Sequence, residues 1–191
     1  MILILRILDM THIAVPNPDL DGPYRHNLLQ TVWFPFMFTD TTLLHSFMLL
    51  AGSYCSADNG IDSHSFDIYA FRGLAISGIN EQIMDPEKGV RDEIVGAVLN
   101  IAAYEALFGE LDAFQTHMGG LQQIVQIRGG LGSLGLDGLL EKLILWVDAN
   151  AAYLTGNEIY FDRRHFPSSF SHPVPDTARF GSRRDLAIGV D

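Results

Sequence analysis

The segment HMGGLQQIVQIRGGLGSLGLDGLLEKLILWVDANAAY, residues 117–153, constrains this chain more than any other. Two stretches of helical periodicity flank a run of glycines too dense to lie inside either. His117, Leu121, Ile124 and Arg128 share one helical face at about 100° per residue, with a polar group at each end of an apolar stripe. Gly129 and Gly130 then stop that helix, because glycine takes the left-handed backbone of a helix C-terminus without steric cost. Arg128 puts a cation at the negative end of the helix macrodipole. Beyond the turn, Asp137 or Ser133 is the predicted N-cap of a second helix. Its apolar set Leu139, Leu140, Leu143, Ile144, Val147 and Ala151 forms a wide stripe with Asp148 at its edge. If the two helices pack antiparallel, as so short a connection favours, Asp148 lies far from Arg128 and nearer His117. The spacing leaves the partner of Asp148 open.

The same periodicity predicts helices over residues 1–10, 41–56, 63–84, 90–108, 111–128 and 138–153, with no competing strand pattern. Thr39 or Asp40 is placed to cap the helix through Leu43, Phe47 and Ala51. PNPDLDGP, residues 16–23, reads as a loop, and Asp85-Pro86-Glu87-Lys88-Gly89 separates two helices as a stop signal does. The chain is therefore all-α: an antiparallel helical bundle or helix-pair array over residues 1–161. An irregular or disordered tail, 162–191, follows it, rich in Pro167, Pro173, Pro175, serine and Gly181.

Composition narrows the function classes. At 191 residues, with 48% hydrophobic and 18% charged residues, the chain can fill one core. The apolar run Met1 to Leu8 is interrupted by Arg6 and is too short to span a membrane or to serve as a secretory signal, so it is expected to pack as a first helix. A single cysteine, Cys55, allows no disulfide framework and fits a reducing intracellular compartment. The net charge of −11 repels a polyanion and argues against unaided binding of nucleic acid. Arg163, Arg164, Arg179, Arg183 and Arg184 nearly neutralise the aspartates of the tail, so the negative charge belongs to the helical part. The pair Arg183-Arg184 reads as solvated surface rather than as a localisation signal.

No catalytic, metal or cofactor constellation emerges. Gly130-Leu131-Gly132-Ser133-Leu134-Gly135 matches G-x-G-x-x-G, but a phosphate-cradling loop needs a strand before it, and here a periodic helix precedes it. The seven histidines never pair at i+3 or i+4 on a predicted helix, which removes the usual zinc spacing, and no nucleophile elbow is present. Glu105 and His117 lie on helices joined through Gly109-Glu110, so their side chains can meet across an antiparallel contact. Such a pair is either a ligand-sensing polar pocket or a satisfied contact that fixes helix register, the commoner use of buried charge.

The pattern H-x-x-G-L-x-x-x-V-x-x-R-G-G-L is carried by His117, Gly120, Leu121, Val125, Arg128, Gly129, Gly130 and Leu131. The pattern W-x-D-x-x-A follows at Trp146, Asp148 and Ala151. With WFPFMFTDTTLLHSFMLLA at 33–51 and the segment 71–110, the ordered set resembles a fungal-specific transcription factor domain over residues 30–161. Such domains are the helical regulatory part of proteins that carry a Zn2Cys6 cluster. One cysteine cannot supply the six thiolates of that cluster, so this chain cannot build it. The family's usual domain runs further than this chain, so the resemblance implies a truncated member, a gene fragment or a free-standing half-domain. It implies a transcription-regulator-like helical module, nuclear and not enzymatic, that works through a protein partner, self-association or a small-molecule effector. The alternative is a structural interaction domain or decayed fragment with no independent activity. On either reading Glu105, His117, Gly120, Arg128, Gly129, Gly130, Trp146 and Asp148 are expected to serve as architecture, with no cofactor, no metal, no membrane contact and no direct contact with DNA.

Overall fold

The computed structural model describes residues 18–21, 27–59 and 68–180. A short helix α1 (Pro18–Asp21) is followed by a π-helical turn (Leu29–Trp33) that runs into α2 (Phe34–Phe36). The long helices are α3 (Thr41–Asn59), α4 (Ile68–Ile83), α5 (Asp92–Phe108), α6 (Leu111–Arg128) and α7 (Leu139–Thr155), and a last turn, α8 (Thr177–Phe180), ends the described chain. No strand occurs among the described residues.

The architecture is organised around α5. Its sequence DEIVGAVLNIAAYEALF places Asp92 and Glu93 at the positive helix end and then runs almost without charge. Every residue from Ile94 to Glu105 is buried, so α5 is enclosed on all sides, as a central helix must be. Helices α3, α4, α6 and α7 each pack on it. The peripheral α4, by contrast, buries only Ala75 and Ile79.

Helix α6 has the bounds read from the sequence, and α3, α5 and α7 differ from expectation by a few residues at their ends. Asp40 is the cap of α3: its carboxylate accepts the amides of Thr42 at 2.8 Å and Leu43 at 3.1 Å, while Thr39 turns back to the carbonyl of Phe36. Neither Asp137 nor Ser133 caps α7. That helix starts behind Gly138 with no side-chain cap, Asp137 sits at φ 52°, and the Ser133 hydroxyl donates to the Gly130 carbonyl. In the proline-rich segment 16–23 a helical turn, α1, replaces the expected loop, because burial of Leu20 draws it against α7. The predicted helix over 1–10, the residues of the 63–84 helix before Ile68 and the tail beyond Phe180 lie outside the described residues.

One expectation about packing is corrected. Helices α6 and α7 dock on α5 rather than chiefly on each other, so the turn between them links two neighbours of a common core helix. The segment from Asp162 to Asp176 is irregular, as expected, and it lies against the bundle with Phe166 buried, as is Phe180 of α8. Burying a ring of that size contributes about 1.5–3 kcal/mol. Phe180 sits edge-to-face on Trp146, with ring centroids 5.2 Å apart, and its carbonyl accepts the Tyr54 hydroxyl.

Candidate functional site

The glycine turn closes as a Schellman motif. Gly129 takes φ 97°, and the Gly130 amide donates to the Val125 carbonyl at 2.8 Å. Gly130 follows at φ 105° and ψ 177°, a region essentially restricted to glycine. Arg128 does more here than complement the helix end. Its Nη1 donates to the Val90 carbonyl at 2.9 Å and to Asp92 Oδ1, and its Nη2 donates to the Ser133 carbonyl at 2.8 Å. One guanidinium thus ties the end of α6, the turn and the start of α5 through its fixed fork of donors. Asp92 also accepts the Gly135 amide at 3.3 Å, and a Cβ at residue 135 would lie 2.2 Å from its Oδ2. The last glycine of the G-x-G-x-x-G string therefore admits a carboxylate of the protein itself.

Glu105 is buried in α5, and its partner is Arg72 of α4 rather than His117. Nε donates at 2.9 Å and Nη2 lies 2.7 Å away, a two-point contact with one carboxylate oxygen, Oε1. The other oxygen accepts the Glu110 amide at 3.0 Å, so Glu105 also holds the α5–α6 turn. No hydrogen bond joins His117 to Glu105 among the described residues; Arg72 reaches the carboxylate from the α4 side. His117 still senses the cluster. Burial pushes its pKa below 6.5, the Glu105 charge opposes that shift and Arg72 reinforces it. Burial, and then the Glu105 charge, raise the Tyr104 hydroxyl in the same neighbourhood.

Asp148 answers the question its spacing left open. Its Oδ1 accepts the Tyr160 amide and its Oδ2 the Phe161 amide, both at 2.9 Å, and His172 Nε2 lies 3.1 Å from Oδ2. The carboxylate reaches forward to the chain leaving α7, not sideways to His117. Two further buried polar residues of α7 do likewise: Glu141 accepts the Ser168 hydroxyl, and Asn150 accepts the Asp176 amide at 2.8 Å. Together they fasten the irregular segment 160–176 along α7. Burial raises the Tyr160 hydroxyl, helped by the Asp148 charge.

The other motif positions are less connected. Trp146 is half-buried against Phe180, and its indole N–H has no acceptor among the described residues. A Cβ at Gly120 would meet nothing within 4 Å, and the structure offers no reason for glycine there. Among the described residues no group of three or more His, Cys, Asp or Glu side chains is placed to hold a metal ion. The arrangement is thus three polar clusters, two centred on the buried carboxylates of Glu105 and Asp148 and one on the partly buried Arg128–Asp92 pair, that fasten helix ends and a strap, an arrangement suited to holding a shape.

A family model for the fungal specific transcription factor domain matches residues 10–185. The chain belongs to that family. The match takes in the whole irregular segment fastened by Asp148, a wider span than the resemblance of 30–161. No curated protein and no solved structure matches the chain. The family is one of transcription factor domains and not of enzymes. No described helix of this fungal transcription factor domain is long and apolar enough to cross a membrane.

Sequence reasoning missed Asp92, Arg72 and His172, the partners of three residues it singled out. Asp92 carried one usable signal, as an acid in the first turn of a helix. Arg72 and His172 carried none, since each is 24 or more residues from its carboxylate and gains meaning only when the chain folds back.

Proposed function

We propose that this domain is a regulatory module of transcription that acts in the nucleus by binding a protein partner or an effector. DNA reading is left to another segment or subunit. The observation that carries the proposal is family membership across residues 10–185. Two properties of the chain support the division of labour. The charge of −11 opposes the approach of phosphates, whose neutralisation by Lys and Arg supplies most non-specific DNA affinity. The single cysteine cannot furnish a Zn2Cys6 cluster. The charge clusters around α5 serve as architecture for this module, and no residue is assigned to catalysis.

The test is tethering. The chain is fused to a heterologous DNA-binding domain upstream of a reporter gene in a fungal cell, and transcript is measured against the DNA-binding domain alone. Reporter output is expected to change, while the unfused chain fails to shift duplex DNA at physiological salt. A folded, normally abundant fusion that leaves the reporter at its control level would refute a regulatory role.

A further inference from the structure

A cleft of about 240 Å³ opens between α2, α3 and the start of α4. Its walls carry the rings of Phe34, Phe38, Phe47 and Phe71, and its one titratable side chain is His45. Phe34 meets Phe38 and Phe47 edge-to-face, at centroid distances of 5.1 and 5.9 Å, so the rings are held in fixed orientations rather than collapsed on one another. The outer ring, Phe38, is 48% exposed, an expensive way to leave a large apolar side chain. His45 is half-buried and has a tilted ring contact with Phe71, 6.1 Å between centroids. Among the described residues its imidazole has neither a hydrogen bond nor an ion pair, which leaves its ring nitrogens free to meet a ligand.

An apolar cleft with one converging polar group is the composition of a small-molecule site, in which rings supply affinity and the polar group sets orientation. The other features choose the ligand. The volume lies just under the roughly 300–1,000 Å³ of drug-sized sites, which suits a fused bicyclic skeleton better than a longer one. The net charge of −11 disfavours an anion, and among the lining side chains the imidazole of His45 is the one group with nitrogen or oxygen to hydrogen-bond a ligand. We propose that this cleft binds an uncharged, planar, apolar molecule bearing one hydrogen-bonding oxygen, which His45 engages. The inference rests on the effector arm of the regulatory reading and gives that arm a place and a chemistry. Bridging α2, α3 and α4, such a ligand would stabilise their mutual packing and so report its presence to the α5 core.

The test is equilibrium dialysis of the full chain against 2-naphthol, naphthalene and 2-naphthoate, with Leu44→Trp to fill the cleft and His45→Phe to remove the polar group. Circular dichroism melting checks that both variants fold. 2-Naphthol is expected to saturate one site and to bind about three- to tenfold more tightly than naphthalene, the worth of one hydrogen bond. 2-Naphthoate should bind more weakly than 2-naphthol. His45→Phe should bring 2-naphthol down to the naphthalene level, and Leu44→Trp should abolish both. If Leu44→Trp does not fold, the comparison of the three probes on His45→Phe decides alone. Equal affinity for the three probes, no saturable binding, or indifference to His45→Phe would overturn the proposal. So would a dimer in light scattering that Phe38→Ser disperses, since the cleft would then belong to a second copy. Failure here with an active tethered reporter would sink the ligand site and leave the regulatory reading standing.

Discussion

Replacing Asp148 by alanine tests the account of how the C-terminal segment is held. The carboxylate is 1% exposed and accepts two backbone amides at 2.9 Å, with His172 a third neighbour at 3.1 Å. Hydrogen bonds to a charged group are worth about 1.5–3 kcal/mol, and each buried donor left without a partner costs about 1–3 kcal/mol. Relief from burying a carboxylate offsets part of this loss. Removing one member of a buried charge cluster therefore gives a net destabilisation of about 3–5 kcal/mol. For a chain of this length each kcal/mol lowers the melting temperature by about 2–4 °C, so a fall of roughly 6–20 °C is expected. The assay is thermal unfolding followed by circular dichroism, with hydrogen exchange at Tyr160 and Phe161, whose amides should lose protection. A double-mutant cycle should give a coupling of about 0.5–3 kcal/mol between Asp148 and His172, and essentially none between Asp148 and His117. An Asp148→Ala chain that melts within about 2 °C of the parent, with both amides still protected, would refute the reasoning.

Three further outcomes follow from the same contacts. Gly135→Ala should destabilise by about 1–3 kcal/mol in urea unfolding, because its methyl displaces the Asp92 carboxylate from Arg128; in an Asp92→Ala background most of that cost should vanish. Gly130→Val and Gly130→Ala should each cost about 1–3 kcal/mol in the same assay, since the space around the residue is open and backbone strain alone is charged; a valine much worse than alanine would indicate a clash instead. The unfolded chain takes a proton on the His117 imidazole at higher pH than the folded chain does, so this contribution is complete above pH 6.5 and is lost as pH falls below it. The urea midpoint should accordingly decline below pH 6.5, and His117→Phe should flatten that decline; an unchanged slope in the variant would place the titration elsewhere.

The local features of this chain were legible in its sequence because they depend on neighbours along the chain. The bounds of α6, the arrest at Gly129 and the positive φ of Gly129 and Gly130 follow from periodicity and from the one residue type that tolerates such a backbone. The all-helical class follows the same way. Tertiary structure alone decided which polar side chains meet. Arg128 finds Asp92 across 36 residues, Glu105 finds Arg72 across 33 and Asp148 finds His172 across 24. Periodicity states that a helix has a buried face but not what that face meets. With α6 and α7 both docked on α5, instead of chiefly on each other, Asp148 meets Tyr160, Phe161 and His172 rather than His117. The segment 162–176 shows the same division: its prolines foretell an irregular backbone, while its attachment to α7 depends on Glu141, Asp148 and Asn150 being buried with unfilled hydrogen-bonding capacity that only a returning chain can satisfy.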